Sequence, residues 1–269
     1  MKILKNSLIF LVLICFLVLG TESFGQRWML TFSKGTGYGP QAYNWTSKGI
    51  DNASDKIKDR WDADYDVVDL SFGNDTWLIS FAKKSGYSKQ AYNWTQKGIR
   101  RASDLLKDRW DNGYDVTDIA YGNGTWFIIF SKGTGFTKQA YNWSSKGVED
   151  AAKKIKDRWD QGYDLTDLEY GDGYWFMIFS KSTGYSTQAY NWTQKGFDNA
   201  IDKVKDRWDD NYRITDMSYG DGTWFMIFAK GTGYYKQAYN WMKSRSDIGD
   251  AFKDRWDGGY KLTGASFGY

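Results

Sequence analysis

Polar and apolar positions alternate in segments of strand length within each part of the chain. Tyr114 to Tyr121 is rich in β-formers and leads through Gly122-Asn123-Gly124 into the continuous apolar run Trp126 to Phe130. The glycine-rich turn predicts a hairpin, and the unbroken apolar run predicts a central strand that is buried on both faces. A short third strand is predicted over Gln139 to Trp143.

The periodicity then changes from that of a strand to that of a helix. Val148, Ala151, Ile155 and Trp159 follow one another at spacings of 3, 4 and 4, which places them on one face of an amphipathic helix. We therefore expect a helix that packs on a sheet. The same stripe recurs as Ile50/Ala53/Ile57/Trp61, Ile99/Ala102/Leu106/Trp110 and Phe197/Ala200/Val204/Trp208.

These elements recur five times along the chain. Tryptophans are spaced by 49 residues at Trp28, Trp77, Trp126, Trp175 and Trp224. The motifs Gln-Ala-Tyr-Asn-Trp and Lys-Asp-Arg-Trp-Asp recur with them, and the three sets account for all 15 tryptophans. Repeats of this length are typical of solenoids, propellers and arrays. The sequence predicts a β-rich α+β repeat protein whose units each form three antiparallel strands plus one helix.

The two ends of the repeat region complement each other. It begins with a central strand, Arg27 to Leu30, and ends with the strand that precedes such a strand elsewhere, Tyr260 to Phe267. An open solenoid needs polar caps, and neither end resembles one. We therefore predict a closed five-fold, propeller-like ring in which the N- and C-terminal strands share one blade. An open solenoid is the alternative.

The first 25 residues predict a secretory signal peptide. A basic start precedes an apolar run of 12 residues, Leu8 to Leu19, and small residues stand three and one positions before Gln26. The run is short for a bilayer span, although an uncleaved anchor is the alternative. We expect a signal peptide over 1–25 and a single five-repeat ring domain over 26–269. That domain would be secreted or periplasmic and free of the membrane after signal removal.

The composition excludes several classes of chemistry. The chain has no His and one Cys, which excludes zinc sites of the Cys/His type, Ser-His-Asp triads and Cys-His dyads. Lys and Arg number 36 against 33 Asp and Glu, a net charge of +3. This balance, with acids near bases as in Lys58/Asp59/Arg60, argues against nucleic-acid binding. We predict no cofactor and no metal.

Two motifs resemble an uncharacterised repeat domain. They are Arg-Trp-Asp-x-Gly-Tyr-x-[Ile/Val/Leu]-Thr, as at Arg109 to Thr117, and Trp-x₄-Ser-Lys-x-Thr-Gly-[Tyr/Phe], as at Trp126 to Phe136. A similar domain occurs in secreted bacterial proteins and in the C-terminal region of plant casein-kinase-I-like kinases. The resemblance covers nearly all of the chain after the signal peptide. It implies no activity or functional residue, and this chain has no kinase domain.

Recurring acids in the first strand of each repeat are one candidate for chemistry. Asp118, Asp167 and Asp216 have Asp69 as their counterpart, and Gly264 stands at this position in the fifth repeat. A catalytic carboxylate pair could lie here. Because five copies suit a structural joint better, we expect each acid to pair with an arginine at a helix end, and we assign no catalytic residue. The arginines are Arg60, Arg109, Arg158, Arg207 and Arg255.

The loops after the central strands are the better candidate for binding. Each carries a lysine and, four positions later, an aromatic residue. Aromatic faces stack on sugars, and repeated weak sites gain affinity through avidity. The alternative is that the aromatics seal the core between units while the lysines solubilise the rim. The candidate ligand-binding residues are Lys34, Tyr38, Lys83, Tyr87, Lys132, Phe136, Lys181, Tyr185, Lys230 and Tyr234.

These observations predict a secreted, non-enzymatic protein that binds glycans or a surface protein through its repeated aromatic and lysine loops. A secreted polysaccharide hydrolase using the strand carboxylates is one alternative, and a passive extracellular scaffold is another. A unique site is expected where the repeats differ. Such positions are Pro40, Asp75, Arg213, Gly264 and the stretch Met242 to Ile248.

Overall fold

A computed structural model describes residues 25–269, so the predicted signal peptide, apart from its last residue, lies outside the described residues. The strands are β1 (Arg27–Lys34), β2 (Gln41–Thr46), β3 (Asp66–Gly73), β4 (Thr76–Ala82), β5 (Lys89–Thr95), β6 (Asp115–Gly122), β7 (Thr125–Lys132), β8 (Lys138–Ser144), β9 (Asp164–Gly171), β10 (Tyr174–Lys181), β11 (Thr187–Thr193), β12 (Arg213–Gly220), β13 (Thr223–Lys230), β14 (Lys236–Met242) and β15 (Lys261–Gly268). The helices are α1 (Ile50–Trp61), α2 (Gly98–Trp110), α3 (Val148–Trp159), α4 (Phe197–Asp209) and α5 (Ile248–Asp257), and a 3-10 turn, Arg245–Asp247, precedes α5.

The strands form five antiparallel sheets of three strands, each paired with one helix. In every sheet the apolar run predicted to be central is the middle strand, and β4 is buried along its whole length. The predicted repeat of three strands plus one helix is therefore confirmed. The sheet orders are β2-β4-β3, β5-β7-β6, β8-β10-β9, β11-β13-β12 and β14-β1-β15.

The third strand of each sequence repeat belongs to the sheet of the next repeat, which the pattern of apolar positions does not indicate. β5 pairs with β7, which follows it, and not with β4, which precedes it. The loop after each central strand therefore leads into the next sheet. Because β5 and β6 both run antiparallel to β7, α2 connects two parallel strands across the face of their sheet.

The helices form and end as their sequences dictate. In α2 the stripe Ile99, Ala102 and Leu106 is buried, in keeping with its amphipathic spacing. The helix ends where Gly113 adopts a positive φ of 71°, so that the amide of Tyr114 can donate to the carbonyl of Arg109 at 3.1 Å. No helix within residues 25–269 is long and apolar enough to cross a membrane.

Each hydrophobic core joins one sheet to the next. The core around Trp77 and Phe81 of β4 also contains Phe127 and Ile129 of β7, whereas Trp126 of β7 belongs to the following core. A central strand thus contributes alternate side chains to two cores, which explains its continuous apolar sequence. The core of α5 and β1 likewise includes Leu78 of β4, so the last sheet packs against the first.

The first strand lies between the last two strands. β1 pairs with β14 on one side and with β15 on the other, and Trp28 is opposite both Met242 and Phe267. The predicted pairing of the N- and C-terminal strands is therefore present. This pairing gives the fifth sheet three strands in the same arrangement as in the other four sheets.

A glutamine amide joins each pair of neighbouring sheets. Gln90 of β5 accepts hydrogen bonds from Trp61 Nε1 at 2.9 Å and from the amide of Val67 at 2.7 Å. It also donates to the Val67 carbonyl at 2.9 Å and to Ser131 Oγ at 3.0 Å. The same tryptophan–glutamine bond recurs at Trp110–Gln139, Trp159–Gln188, Trp208–Gln237 and, across the chain ends, Trp256–Gln41.

The last glycine of each of the inner strands, β3, β6, β9, β12 and β15, receives an aromatic ring from the neighbouring sheet. A Cβ atom on Gly122 would lie 2.1 Å from Cγ of Phe72, so only glycine permits this approach. The inner strands therefore pack against one another at van der Waals distance. The equivalent pairs are Gly171–Tyr121, Gly220–Tyr170, Gly268–Tyr219 and Gly73–Phe267.

We expect Gln90→Leu to lower the free energy of unfolding by about 3 kcal/mol, because it leaves the Trp61 and Val67 polar groups buried without partners. Chemical denaturation measures the change. Gln96→Leu is the control, since Gln96 is exposed and makes a single bond, to Thr125, at 3.1 Å; its cost should stay below about 1 kcal/mol. Equal losses in the two variants would contradict the assignment of the joint.

Candidate functional site

The predicted loop aromatics come from five different loops between sheets. Each is held by a tight turn in which its amide donates to a Ser or Thr hydroxyl two residues earlier, as Tyr87 does to Ser85 and Phe136 to Thr134, both at 3.1 Å. All five side chains are half-buried. We call Tyr38, Tyr87, Phe136, Tyr185 and Tyr234 the loop cluster.

The tyrosines of the loop cluster are close enough to influence one another's ionisation. Burial raises the pKa of Tyr38 well above its usual range, and the nearby phenols of Tyr87 and Tyr234 raise it further. Burial and Tyr234 likewise raise the pKa of Tyr185, and burial raises the pKa of Tyr234 to about 12. The structure therefore brings together four hydroxyls, all protonated at neutral pH, from loops that are far apart in sequence.

The lysines of these loops do not join the cluster. Each ammonium group instead stacks on a tyrosine that follows a helix, as Lys132 does on Tyr114 with 4.5 Å from Nζ to the ring centroid. Arg109 lies 5.4 Å from the same centroid. The lysine and the aromatic of each predicted pair thus point to different partners. The other lysine pairs are Lys34–Tyr260, Lys83–Tyr65, Lys181–Tyr163 and Lys230–Tyr212, at 4.5–4.9 Å.

The surroundings of the loop cluster differ between repeats, a difference that was predicted only at Arg213. In three repeats the first residue of the inner strand is an aspartate, and Asp115 accepts a hydrogen bond from Thr134 of the adjacent loop. Asp66 and Asp164 do the same with Ser85 and Thr183. Arg213 and Lys261 begin the other two inner strands. Aligning the repeats position by position would have revealed this asymmetry.

The recurring strand aspartates also come together, although not with the arginines. Asp69, Asp118, Asp167 and Asp216, the inner carboxylates, line a cavity of about 90 Å³ between the inner strands β3, β6, β9, β12 and β15. Each accepts a hydrogen bond from a backbone amide of a neighbouring inner strand, at 2.5–3.0 Å. The donors are Leu70 to Asp118, Ile119 to Asp167, Leu168 to Asp216 and Ala265 to Asp69.

The expected Arg–Asp pairing is wrong. Arg60 lies at the end of α1 and its Nε donates to Asn44 of the outer strand β2 at 2.7 Å, on the far side of the sheet from the inner carboxylates. The asparagine of the Gln-Ala-Tyr-Asn-Trp motif is therefore the arginine's partner. The same bond joins Arg109–Asn93, Arg158–Asn142, Arg207–Asn191 and Arg255–Asn240, at 2.5–2.7 Å.

Asp69 and Asp167 are buried and Asp118 and Asp216 are half-buried, with no cation among the residues that line their cavity. Burial raises the pKa of Asp69 and that of Asp216 to about 7, despite the amide hydrogen bonds that favour the charged form. Burial and the charges of the neighbouring aspartates raise the pKa of Asp118 and that of Asp167 well above the usual range. These groups therefore share protons near neutral pH.

Glu169 is a further acid of this cavity that the sequence analysis did not single out. Burial raises its pKa to about 8, while it accepts hydrogen bonds from the Tyr121 amide at 3.1 Å and from Ser218 Oγ at 2.9 Å. Smaller residues, Ser71 and Ser218 among them, line the cavity from other inner strands. Within residues 25–269 no group of three or more His, Cys, Asp or Glu is placed to hold a metal ion.

Comparison with known proteins assigns the chain to a family. The chain belongs to the family described as domain of unknown function DUF7477, whose model matches residues 15–169 and, in a second overlapping copy, residues 116–268. Two overlapping matches are consistent with a repeat domain. No curated protein and no solved structure matches the chain.

The inner carboxylates predict that the folded state becomes less stable as pH rises. Their pKa values are raised above the unfolded value of about 4, so the folded state holds protons that the unfolded state releases. Their contribution to the free energy of unfolding should therefore be fully present below about pH 4 and fall between pH 4 and pH 8, as the pH passes the pKa of about 7 of Asp69 and Asp216. Thermal or urea unfolding across this range measures the effect.

Asp118→Asn should remove part of this pH dependence, because it keeps an oxygen for the Leu70 amide but cannot ionise. We expect it to stabilise the protein at pH 8 more than at pH 5. Asp111→Asn, which removes an exposed carboxylate after α2, is the control and should not change the slope. A flat wild-type profile would show that the inner carboxylates do not retain their protons.

Proposed function

We propose that this DUF7477 member is a secreted or periplasmic, non-enzymatic binding protein built as a closed five-bladed ring. It recognises glycans or a surface protein through the loops that follow its central strands. The observation that carries the proposal is the convergence of Tyr38, Tyr87, Tyr185 and Tyr234, since several phenol rings at one place offer both stacking faces and hydroxyl groups.

Three independent series of contacts support the ring. The tryptophan–glutamine joints, the glycine–aromatic contacts and the shared cores each pass through five sheets and return from the last sheet to the first. β15 moreover contacts both β3 and β12, as an inner strand with two neighbours does. An open solenoid would leave two terminal sheets without one of these neighbours.

The geometry changes the form of the proposed binding site. Sequence alone suggested five separate shallow sites, each with one lysine and one aromatic. The loop cluster instead favours one larger site made by all five loops, with the lysines held outside it on their tyrosines. Such a site would take a branched or repeated epitope on a glycan or a surface protein.

The second candidate function is a polysaccharide hydrolase, which the gathering of the inner carboxylates favours. Four carboxylates with raised pKa values have the chemistry of general acids. We rank it lower because their cavity of about 90 Å³ is far below the ~300–1,000 Å³ of small-molecule sites. A passive scaffold ranks third. We also propose that the chain is related to the C-terminal domains of the plant kinases, and this relation carries no role in phosphorylation.

Replacing Tyr87 and Tyr185 together by Ala should reduce glycan-array binding at least tenfold, because it removes two stacking rings from the loop cluster (about 1.4 kcal/mol per tenfold). Replacing both tyrosines by Phe separates loss of the ring from loss of the hydroxyl. Phe136 is already a phenylalanine at the equivalent position. Tyr269→Ala removes a half-exposed phenol after β15 and is the control. Unchanged binding in a folded double Ala variant would refute the loop site.

A circular permutant tests the ring. Gly268 pairs with Arg27, so an Asn-Gly turn in place of Tyr269 and Gln26 should join the ends, with new termini between Asn123 and Gly124 of an equivalent hairpin. We expect native circular dichroism and a melting temperature within a few degrees of that of residues 26–269. An open stack could not accommodate this short link, and the permutant would then fail to fold.

A further inference from the structure

A groove lies where the fifth sheet meets the sheet of β2, away from the loop cluster. One part is a cavity of about 540 Å³ lined by Tyr43, Trp45, Asn74, Lys243 and Arg245, among others. This volume is that of small-molecule sites. Trp45 is 43% exposed, so the part of its indole that Arg245 does not cover is available to a ligand.

The stretch that breaks the repeat symmetry forms one wall of this cavity. α5 has 10 residues, whereas the other helices have 12 or 13, and the 3-10 turn Arg245–Asp247 precedes it. Because α5 lacks a first turn, the chain between β14 and α5 follows a different path and carries Arg245 toward the neighbouring sheet. This different path lies in the stretch Met242 to Ile248, where the sequence departs from the other repeats.

Arg245 is held in place over Trp45. Its guanidinium carbon lies 3.9 Å from the indole centroid, and its Nη1 donates to Thr76 Oγ1 at 3.2 Å. In two other repeats a glutamine makes the bond to the equivalent threonine, as Gln96 does to Thr125. Arg245 instead reaches its threonine from the neighbouring sheet and brings a cation to it, and a guanidinium has further N–H groups with which to bind an anion.

Tyr43 and Trp45 line a second cavity as well. The second cavity, of about 460 Å³, is lined by Asn44, Asn52, Lys48 and Lys56 as well as by Trp45. We call the two cavities together the junction groove. Its lining contains four cations, with Lys243 and Arg245 on one side and Lys48 and Lys56 on the other, and no carboxylate. The chain as a whole is nearly balanced, with 36 bases and 33 acids.

We propose that the junction groove binds an acidic polysaccharide whose sugar rings carry carboxylates. The indole of Trp45 contacts a sugar face, the cations on both sides pair with carboxylates, and the amides of Asn44, Asn52 and Asn74 bond to hydroxyls. One indole shared by two compact cavities suits successive sugar rings, whereas nucleic acids need a long basic stripe. The inference rests on the proposed function for its ligand class, glycans, but uses a different surface.

The test compares polygalacturonate with its methyl-esterified form, which keeps the sugar chain and lacks the charge. Isothermal calorimetry on the full chain should give binding to the acid form that weakens at least tenfold with the ester and falls with added salt. Arg245→Gln and Trp45→Ala should each weaken binding at least tenfold. Trp94→Ala, at an equivalent tryptophan that is 40% exposed, should leave it within twofold.

A second variant guards against misfolding. Lys48→Gln with Lys243→Gln alters two exposed side chains, should not change the melting temperature and should weaken binding at least tenfold. Equal binding of acid and ester, no binding of either, equal binding of duplex DNA, or no loss in Arg245→Gln would each overturn the proposal. The Tyr87/Tyr185 double Ala variant distinguishes the two surfaces, because it should lose loop-site glycans and retain polygalacturonate.

Discussion

The fold depends on one glutamine amide in each repeat. At the joint between two sheets the inner strand presents a backbone N–H and C=O, and Gln90 satisfies both groups of Val67 as a strand partner would. The same amide accepts the indole N–H of Trp61 and so fixes the end of α1. The glutamine motif and the Lys-Asp-Arg-Trp-Asp motif therefore recur together because each supplies half of one contact.

This joint determines where the charged groups lie. Once each sheet is fixed to the next, the inner strands approach so closely that glycines must receive the neighbouring rings, and the inner carboxylates are brought together in one cavity. Their hydrogen bonds to backbone amides offset part of the cost of burial, but the raised pKa values show that the balance still favours protonation. The acids are better understood as inter-strand joints than as a catalytic pair.

The strands and helices were predictable because they follow from periodicity within about ten residues, and the repeat because its motifs recur every 49 residues. Which strands pair with one another was not predictable. The alternating pattern of Gln139 to Trp143 fits an edge strand equally well beside β7 or β10, and in the structure it pairs with β10. Complementary charge likewise suggested Arg109 beside Asp118, yet these residues lie toward opposite edges of one sheet. Lys132 and Phe136 were expected together, but the glycine turn between them sends the two side chains to different partners.

Differences between the repeats indicate where function would arise in such a molecule. Five equal joints make a symmetric frame, and a symmetric frame offers a ligand five equal, weak contacts. At Gly264 the series of inner carboxylates stops, and the amide of Met217 bonds instead to the adjacent Asp216 at 2.7 Å. At Arg245 the fold gains a cation that the other repeats lack. Because the frame already supplies stability, such positions are free to change, and a specific ligand can be selected there without loss of the fold.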